Sequence, residues 1–447
     1  MSFAAGPRRR FDPRSLDALN FLLADVRGAV GPYLNVFLVT QQGWSQAAVG
    51  VVTTASGLAG LLFNAPAGAL VDETPAKRGF VVAALGVLAL SGAAIALFPT
   101  FWPLLAASTA MAIVGDLFGP AVAALTLGLF PRMALARRMG RNAAFDHAGN
   151  VAIALVAAAV GWAFSQRAVF LLTPIFAALA AGAVLTIPAT AIDHERARER
   201  AGNRAPKNAT SWRDLLGYRP LVIFGLCTAM FHFANAPLLP LVGQKLAAAH
   251  PSYATAMMSS CIIAARAIML PIAILVGRTA DHFGRKPIFL VGFAVLPIRA
   301  FLYPLSDNGA WLIGVQLLDG VGVGIFGALT PLVLADIMRG TGRYNLAQGA
   351  VAAALGAGAS LSGLCSGVVV DRFGYSAAFV TLGAIALIAF ASFAIFMPET
   401  AESEADVPAD PRFGAAAEPA SPWTARASRL QSAVPRRLER VGPRETP

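Results

Sequence analysis

The segment GRTADHFGRK, from Gly277 to Lys286, decides how the rest of the chain is read. A second form of it, GALVDETPAKR, occupies Gly68 to Arg78. Each lies between two long apolar runs. Each sets an aspartate one helical turn after a glycine, Gly68 to Asp72 and Gly277 to Asp281, and follows it with basic residues. Nearly half of the 447 residues separate the two copies. The pattern predicts two related halves, each with a charged hinge on the same side of a membrane.

Composition agrees. Hydrophobic residues make up 57% of the chain and charged residues 13%, about half the charged share of a soluble domain. Mean hydropathy is +0.64. Twelve apolar runs, the first at 18–40 and the last at 376–397, are each long enough to cross a bilayer as a helix. The short alternating segments of a transmembrane barrel are not visible. In lipid the backbone must bond to itself, so helices follow. The expected class is an all-α membrane protein with twelve transmembrane helices in two pseudo-symmetric six-helix bundles, at 18–188 and 218–397. A cytoplasmic N-terminal segment (1–17), a cytoplasmic central loop (189–217) and a disordered cytoplasmic tail (398–447), rich in Pro, Ala, Arg and acidic residues, complete the organisation.

Most of the 35 Lys and Arg fall on one side of such a bundle, among them Arg8, Arg9, Arg10, Lys77, Arg78, Arg137, Arg138, Arg141 and those of the central loop and tail. This bias puts both termini in the cytoplasm, in a bacterial inner membrane. The net charge of +11 then reflects topology and attraction to anionic lipid. No basic groove interleaved with aromatics supports a nucleic-acid partner. No short apolar core with a cleavage site opens the chain, so the first helix is expected to direct insertion. Cys227, Cys261 and Cys365 all lie in apolar runs, without disulfide or zinc spacing. Five scattered histidines supply no metal or catalytic cluster. No G-x-x-x-x-G-K-S/T loop supports ATP-driven work. A monomer without cofactor or enzymatic activity is expected.

The halves echo each other beyond the hinges. Asp116 in span 4 matches Asp319 in span 10, and an ALT triplet follows each, at 124–126 and 328–330. GRN at 140–142 matches GRYN at 342–345, and GPYL at 31–34 matches APLL at 236–239. Their order and near-constant offset indicate a duplication. Parallel six-helix repeats are a transporter architecture, with the substrate site between the halves near the midplane.

On these features the chain resembles the major facilitator superfamily over residues 15–398. In that family the loops after helices 2 and 8 carry G-x-x-x-D-x-x-G-R-K/R. Gly277, Asp281, Gly284, Arg285 and Lys286 match it. The first copy keeps Gly68, Leu70, Asp72 and Lys77 but has Pro75 and Ala76 where the family has glycine and arginine. The resemblance stops short of the drug-antiporter subgroup, because span 4 (AMAIVGDLFGP) lacks its arginine and span 5 (HAGNVAIALVAAAVGWAF) lacks its proline kink. The resemblance implies alternating access, with spans 1, 4, 7, 8, 10 and 11 around the cavity. It also implies that each hinge aspartate meets a helix start of the opposite half, where free N–H groups and the helix dipole favour an anion. Asp281 is expected near Arg141 and Asp72 near Arg343, as a cytoplasmic gate.

Charges inside spans are costly and usually face a cavity or a partner. Arg27 and Arg266 are the expected anchors for a substrate carboxylate or phosphate, and Asp25 or Asp116 the proton-coupling carboxylate. A permanent Arg27–Asp116 bridge is the structural alternative. Arg299 and Asp319 read as a structural pair. His232 reads as a proton relay or a packing residue, and Asp146 as a helix cap. The expected function is secondary active transport of a small organic molecule, by proton-coupled export. An importer of an organic anion and a non-transporting sensor or scaffold are the alternatives.

Overall fold

The computed structural model describes residues 12–26, 30–73, 77–193, 215, 217–249, 251–339, 341 and 343–401; within these, the side chains of 25, 26, 30, 64–73, 77, 120, 132, 133, 136, 281 and 345 are not described. In the first half, α1 (Pro13–Val26) and α2 (Val30–Thr40) make span 1, α3 (Gln46–Glu73) span 2 and α4 (Lys77–Leu97) span 3. Then α5 (Phe101–Gly115) with α6 (Phe118–Leu129) makes span 4, α7 (Arg132–Ala163) span 5, and α8 (Gln166–Val169) with α9 (Leu172–Leu185) span 6. In the second half, α10 (Arg219–Asn235) and α11 (Leu238–Ala249) make span 7, followed by α12 (Ala254–Phe283), α13 (Arg285–Leu302) and α14 (Gly309–Ile337). Finally α15 (Tyr344–Phe396) turns at Gly374, with φ 81 and ψ 173, and so supplies spans 11 and 12. Among the described residues nine stretches are long and apolar enough to cross a membrane, and Leu346–Phe396 is long enough to do so twice.

Proline explains two breaks. Pro120 lacks the N–H that would bond the carbonyl of Asp116, and Pro240 the one that would bond Ala236. The chain turns at both places, between α5 and α6 and between α10 and α11. Each half has its own apolar core. The second is dominated by rings: Phe231 stacks on Phe326 at 4.0 Å and Phe293 on Phe393 at 4.5 Å between centroids. Leu90, Trp102, Trp162, Leu226 and Phe373 are exposed, as side chains facing lipid are.

The end of α3 with the start of α4, and the end of α12 with the start of α13, mark one end of the bundle, the basic face. On it, ion pairs join helices of the same half. Asp17 of α1 takes Arg138 at 2.8 Å and Arg141 at 2.7 Å from α7. Asp336 of α14 takes Arg285 at 3.2 Å and Arg339 at 3.1 Å. Glu399 accepts the first two N–H groups of α13, from Arg285 at 2.9 Å and Lys286 at 3.0 Å.

On the opposite face the two halves meet. α3 and the first part of α15 approach so closely that a Cβ on Gly50 would lie 2.5 Å from the carbonyl oxygen of Gly363. Thr54 Oγ1 donates to Ser360 O at 2.6 Å and accepts from the N–H of Leu364 at 3.1 Å. Tyr33 Oη and Ser259 Oγ bond at 2.7 Å between α2 and α12. Gln244 of α11 donates to Asn35 O of α2 at 3.4 Å. Asp371 accepts from Gln46 N at 2.9 Å and Ala47 N at 2.7 Å.

Gly284 has φ 82 and ψ 169, and a Cβ there would meet Glu399 Oε2 at 2.7 Å. Gly284→Ala should therefore cost about 1–3 kcal/mol, read as a lowered thermal midpoint in detergent. Gly86→Ala on α4, where a Cβ meets open space, should be neutral or stabilising. Burial pushes the Glu399 carboxyl up, but the N–H groups of Ala401, Arg285, Lys286 and Thr400 together hold it below its ordinary value of 4.5. Its contribution to stability is then fully present above that value and lost as pH falls through the lower folded one. Glu399→Gln should lower stability at neutral pH and flatten the decline on acidification, measured as unfolding midpoints across the acid range.

Candidate functional site

A cavity of about 480 Å³ lies between the halves, within the range of small-molecule sites. α7 of the first half contributes Asp146, Asn150 and Ala154; α1 and α2 add Ala24, Pro32 and Tyr33. α12 of the second half contributes Ile262, Ala265, Arg266 and Met269, and α14 contributes Asp319, Gly320 and Val323. The walls are mostly apolar, with charged groups contributed from both sides.

Long helices set these positions. Because α7 begins at Arg132, straight after Pro131, Asp146 lies well inside it and on the cavity wall. The expectation that Asp146 caps a helix start is therefore corrected: proline and the basic run that follows start the helix earlier. Asn150, one turn on, donates to the Asp146 carbonyl at 2.9 Å. α7 can approach α1 because residue 149 is glycine, where a Cβ would meet Phe21 O at 2.2 Å.

Arg266 faces the cavity, and its Nη1 lies 3.8 Å from the Met269 thioether. A thioether is a weak acceptor, so among the described residues no carboxylate is bonded to this guanidinium. Arg299 is the opposite case. It is 1% exposed and paired with Asp319, while its Nη2 donates to Asn235 Oδ1 at 2.6 Å. Gln316 donates to Asp319 Oδ2 at 3.1 Å and accepts from Tyr303 Oη at 2.5 Å. The network ties α10, α13 and α14 together, and Asp319 remains 15% exposed on the cavity wall.

His232 packs edge-on to Phe231 and Phe326, with centroids 5.3 and 5.6 Å away. Asp116 is exposed at the turn between α5 and α6, whereas among the described residues the carboxylates lining the cavity are Asp146 and Asp319. Arg27 and the side chain of Asp25 lie outside the described residues, as do the side chains of Asp72, Lys77 and Asp281. The expected Asp281–Arg141 and Asp72–Arg343 contacts therefore fall there too, as does most of the central loop. Arg141 itself is bonded within its own half, through Nε and Nη2 to Asp17. Sequence reasoning missed Asp17, which lies just outside the first apolar run and has no local signal of its partner.

A smaller chamber of about 180 Å³ lies among the contacts that join the halves, with Asn35, Gln46, Thr53, Gln244, Ser362 and Ser366 among otherwise mostly apolar walls. Gln244 is 2% exposed, and among the described residues its Oε1 has no partner.

The sequence profile of the Major Facilitator Superfamily matches residues 16–273 and 226–435. The chain is 48% identical to the uncharacterized MFS-type transporter Rv2456c of Mycobacterium tuberculosis (strain ATCC 25618 / H37Rv), over 90% of this chain and 96% of that one. It is 24% identical to a putative sugar efflux transporter of Deinococcus radiodurans, over 83% of this chain and 94% of that one. The solved structure of the nucleoside transporter NupG superposes with a TM-score of 0.67 at 14% identity, covering 86% of this chain and 98% of that one. The chain is an integral, multi-pass membrane protein and belongs to the major facilitator superfamily of transporters.

Proposed function

We propose that this protein exports a small organic molecule bearing both a basic and an acidic group, in exchange for protons, by alternating access. The observation that carries the reading is that opposite charges line one cavity, Arg266 from the second half and Asp146 from the first. Arg266 takes the acidic group of the substrate. Asp146, with Asn150 beside it, takes the basic group. A proton and a cationic group compete for one carboxylate, so protonating Asp146 releases the substrate and emptying it admits the next. That competition is what exchange requires. The efflux named for the Deinococcus relative agrees with this direction. Asp319 is committed to Arg299, since losing one member of a buried pair strands the other at a cost of about 3–5 kcal/mol. Among the described carboxylates on the cavity wall the coupling role is given to Asp146; Asp25, whose side chain lies outside the described residues, stays the second candidate.

The basic face is assigned to the cytoplasm of a bacterial inner membrane by its excess of Lys and Arg. The contacts between the halves then lie on the outer side, and the cavity opens inward. In the outward-open state the hinge aspartates Asp72 and Asp281 close the cytoplasmic side near Arg343 and Arg141.

A second reading follows from the same two residues. If the substrate is a plain anion, protonating Asp146 removes a repulsive charge and strengthens the hold of Arg266. Proton and substrate then travel together, and the protein is an importer of an organic anion. The sign of the pH effect separates the two. Purified protein in proteoliposomes, given an imposed pH gradient and a panel of amphoteric, cationic and anionic compounds, should move an amphoteric compound against the proton flux. Its binding should weaken as pH falls, and Asp146→Asn should abolish that pH dependence. Binding that tightens as pH falls selects the importer; absence of proton-linked flux for every compound rejects coupled transport. Arg266→Ala should weaken substrate binding about 10- to 100-fold, the loss of one charged hydrogen bond, with Arg266→Lys in between.

A further inference from the structure

We infer that Asp371 is a reversible latch that holds the two halves together on the face opposite the basic loops, and that it is a third use of the hinge signature. Gly367, Asp371 and Gly374 in GVVVDRFG repeat the spacing of Gly277, Asp281 and Gly284 in GRTADHFG. The backbone repeats as well: Gly374 has φ 81 and ψ 173, and Gly284 has φ 82 and ψ 169. Both glycines take a conformation closed to other residues, and each ends one helix and starts the next. The basic pair Arg285 and Lys286 follows the copy on the basic face; Tyr375 and Ser376 stand in its place here.

The contact is a carboxylate seated on a helix start. Asp371 Oδ1 accepts from Gln46 N at 2.9 Å and Oδ2 from Ala47 N at 2.7 Å, the first two N–H groups of α3. Ser45 Oγ accepts the third, from Ala48 at 3.1 Å. The aspartate belongs to the second half and the helix to the first, so the bond spans the surface at which the halves must part. Gln46 Nε2 donates to Tyr375 Oη at 2.9 Å beside it. Gly367 makes the approach possible, because a Cβ there would lie 2.3 Å from Gln46 O. Charge, dipole and two aligned donors favour the closed form. Asp371 is exposed, so water can replace both donors when the halves separate.

The inference rests on the halves separating during transport, and its test needs no substrate, so its failure is distinct from failure of the export reading. Gln42 and Arg372 are exposed on this face, in opposite halves, and Cys227 and Cys261 are buried. Full-length protein carrying Cys365→Ser, Gln42→Cys and Arg372→Cys takes two spin labels, whose separation is measured in lipid nanodiscs by pulsed electron resonance. Asp371→Asn should raise the ratio of long to short separations about 5- to 30-fold, and Asp371→Glu should do so less. Should Asp371→Asn fail to fold, Gln46→Pro tests the other side of the bond: it removes one donor at the first helical position, which accepts proline, and should shift the ratio the same way. An unchanged ratio in the folded variants, or Glu as disruptive as Asn, overturns the latch.

Discussion

The close approach of α3 to α15 is the constraint on which the rest of the structure depends. In lipid no hydrophobic force draws two apolar helices together, so contact must come from packing and hydrogen bonds at short range. Gly50 meets the Gly363 backbone where no Cβ would fit, and Thr54 bonds the backbone of α15 twice. These contacts bring two independently packed bundles into one unit along one face. The cavity lined by Asp146 and Arg266 then lies between bundles that are joined by residues able to separate, because the interface is built from small side chains and exchangeable hydrogen bonds.

Burial sorts the arginines inside the spans into two kinds. Arg299 is surrounded by Asp319, Asn235 and the Gln316–Tyr303 pair, and its charge is matched within the second half. Such a pair does not gain much over apolar packing, but breaking it is expensive, so it behaves as a fixed part of the bundle. Arg266 has a thioether beside it and a cavity in front. A guanidinium held in that setting retains its donors for something that enters. One bundle thus carries one arginine that completes its frame and one that faces the space between the bundles.

Much of this was legible from sequence because the bilayer acts as a ruler. Its thickness fixes the length of an apolar run, so the twelve spans and the two-fold repeat could be read directly. The adjacency of spans 9 and 10 was enough to suggest that Arg299 meets Asp319. That Asp319 also reaches the cavity depends on how α14 is rotated about its axis, which hydropathy does not encode. Asp146 reads as a cap when the apolar run marks the start of the helix, whereas Pro131 sets that start earlier. The Asp17–Arg141 contact joins residues far apart in the chain, and no local pattern specifies it. The GVVVDRFG copy is readable, but after its second glycine it has Tyr375 and Ser376 in place of the basic pair that makes the copy at 277–286 conspicuous.

Those missing basic residues follow from the physics of the two faces. A carboxylate on a helix start works on either side of a membrane, because its partners are backbone N–H groups and the helix dipole. Runs of flanking Lys and Arg are a matter of topology and are in excess on one side. The functional core of the signature therefore reduces to a glycine that permits approach, an acid one turn later and a glycine that reverses the chain. Within the second half the same chemistry serves a permanent join, where Glu399 holds the start of α13. Between the halves, at the proposed latch, the acid is exposed, so hydration would offset the loss of its two donors were the join to break. The same interaction is structural or switchable according to whether its two sides belong to one rigid body.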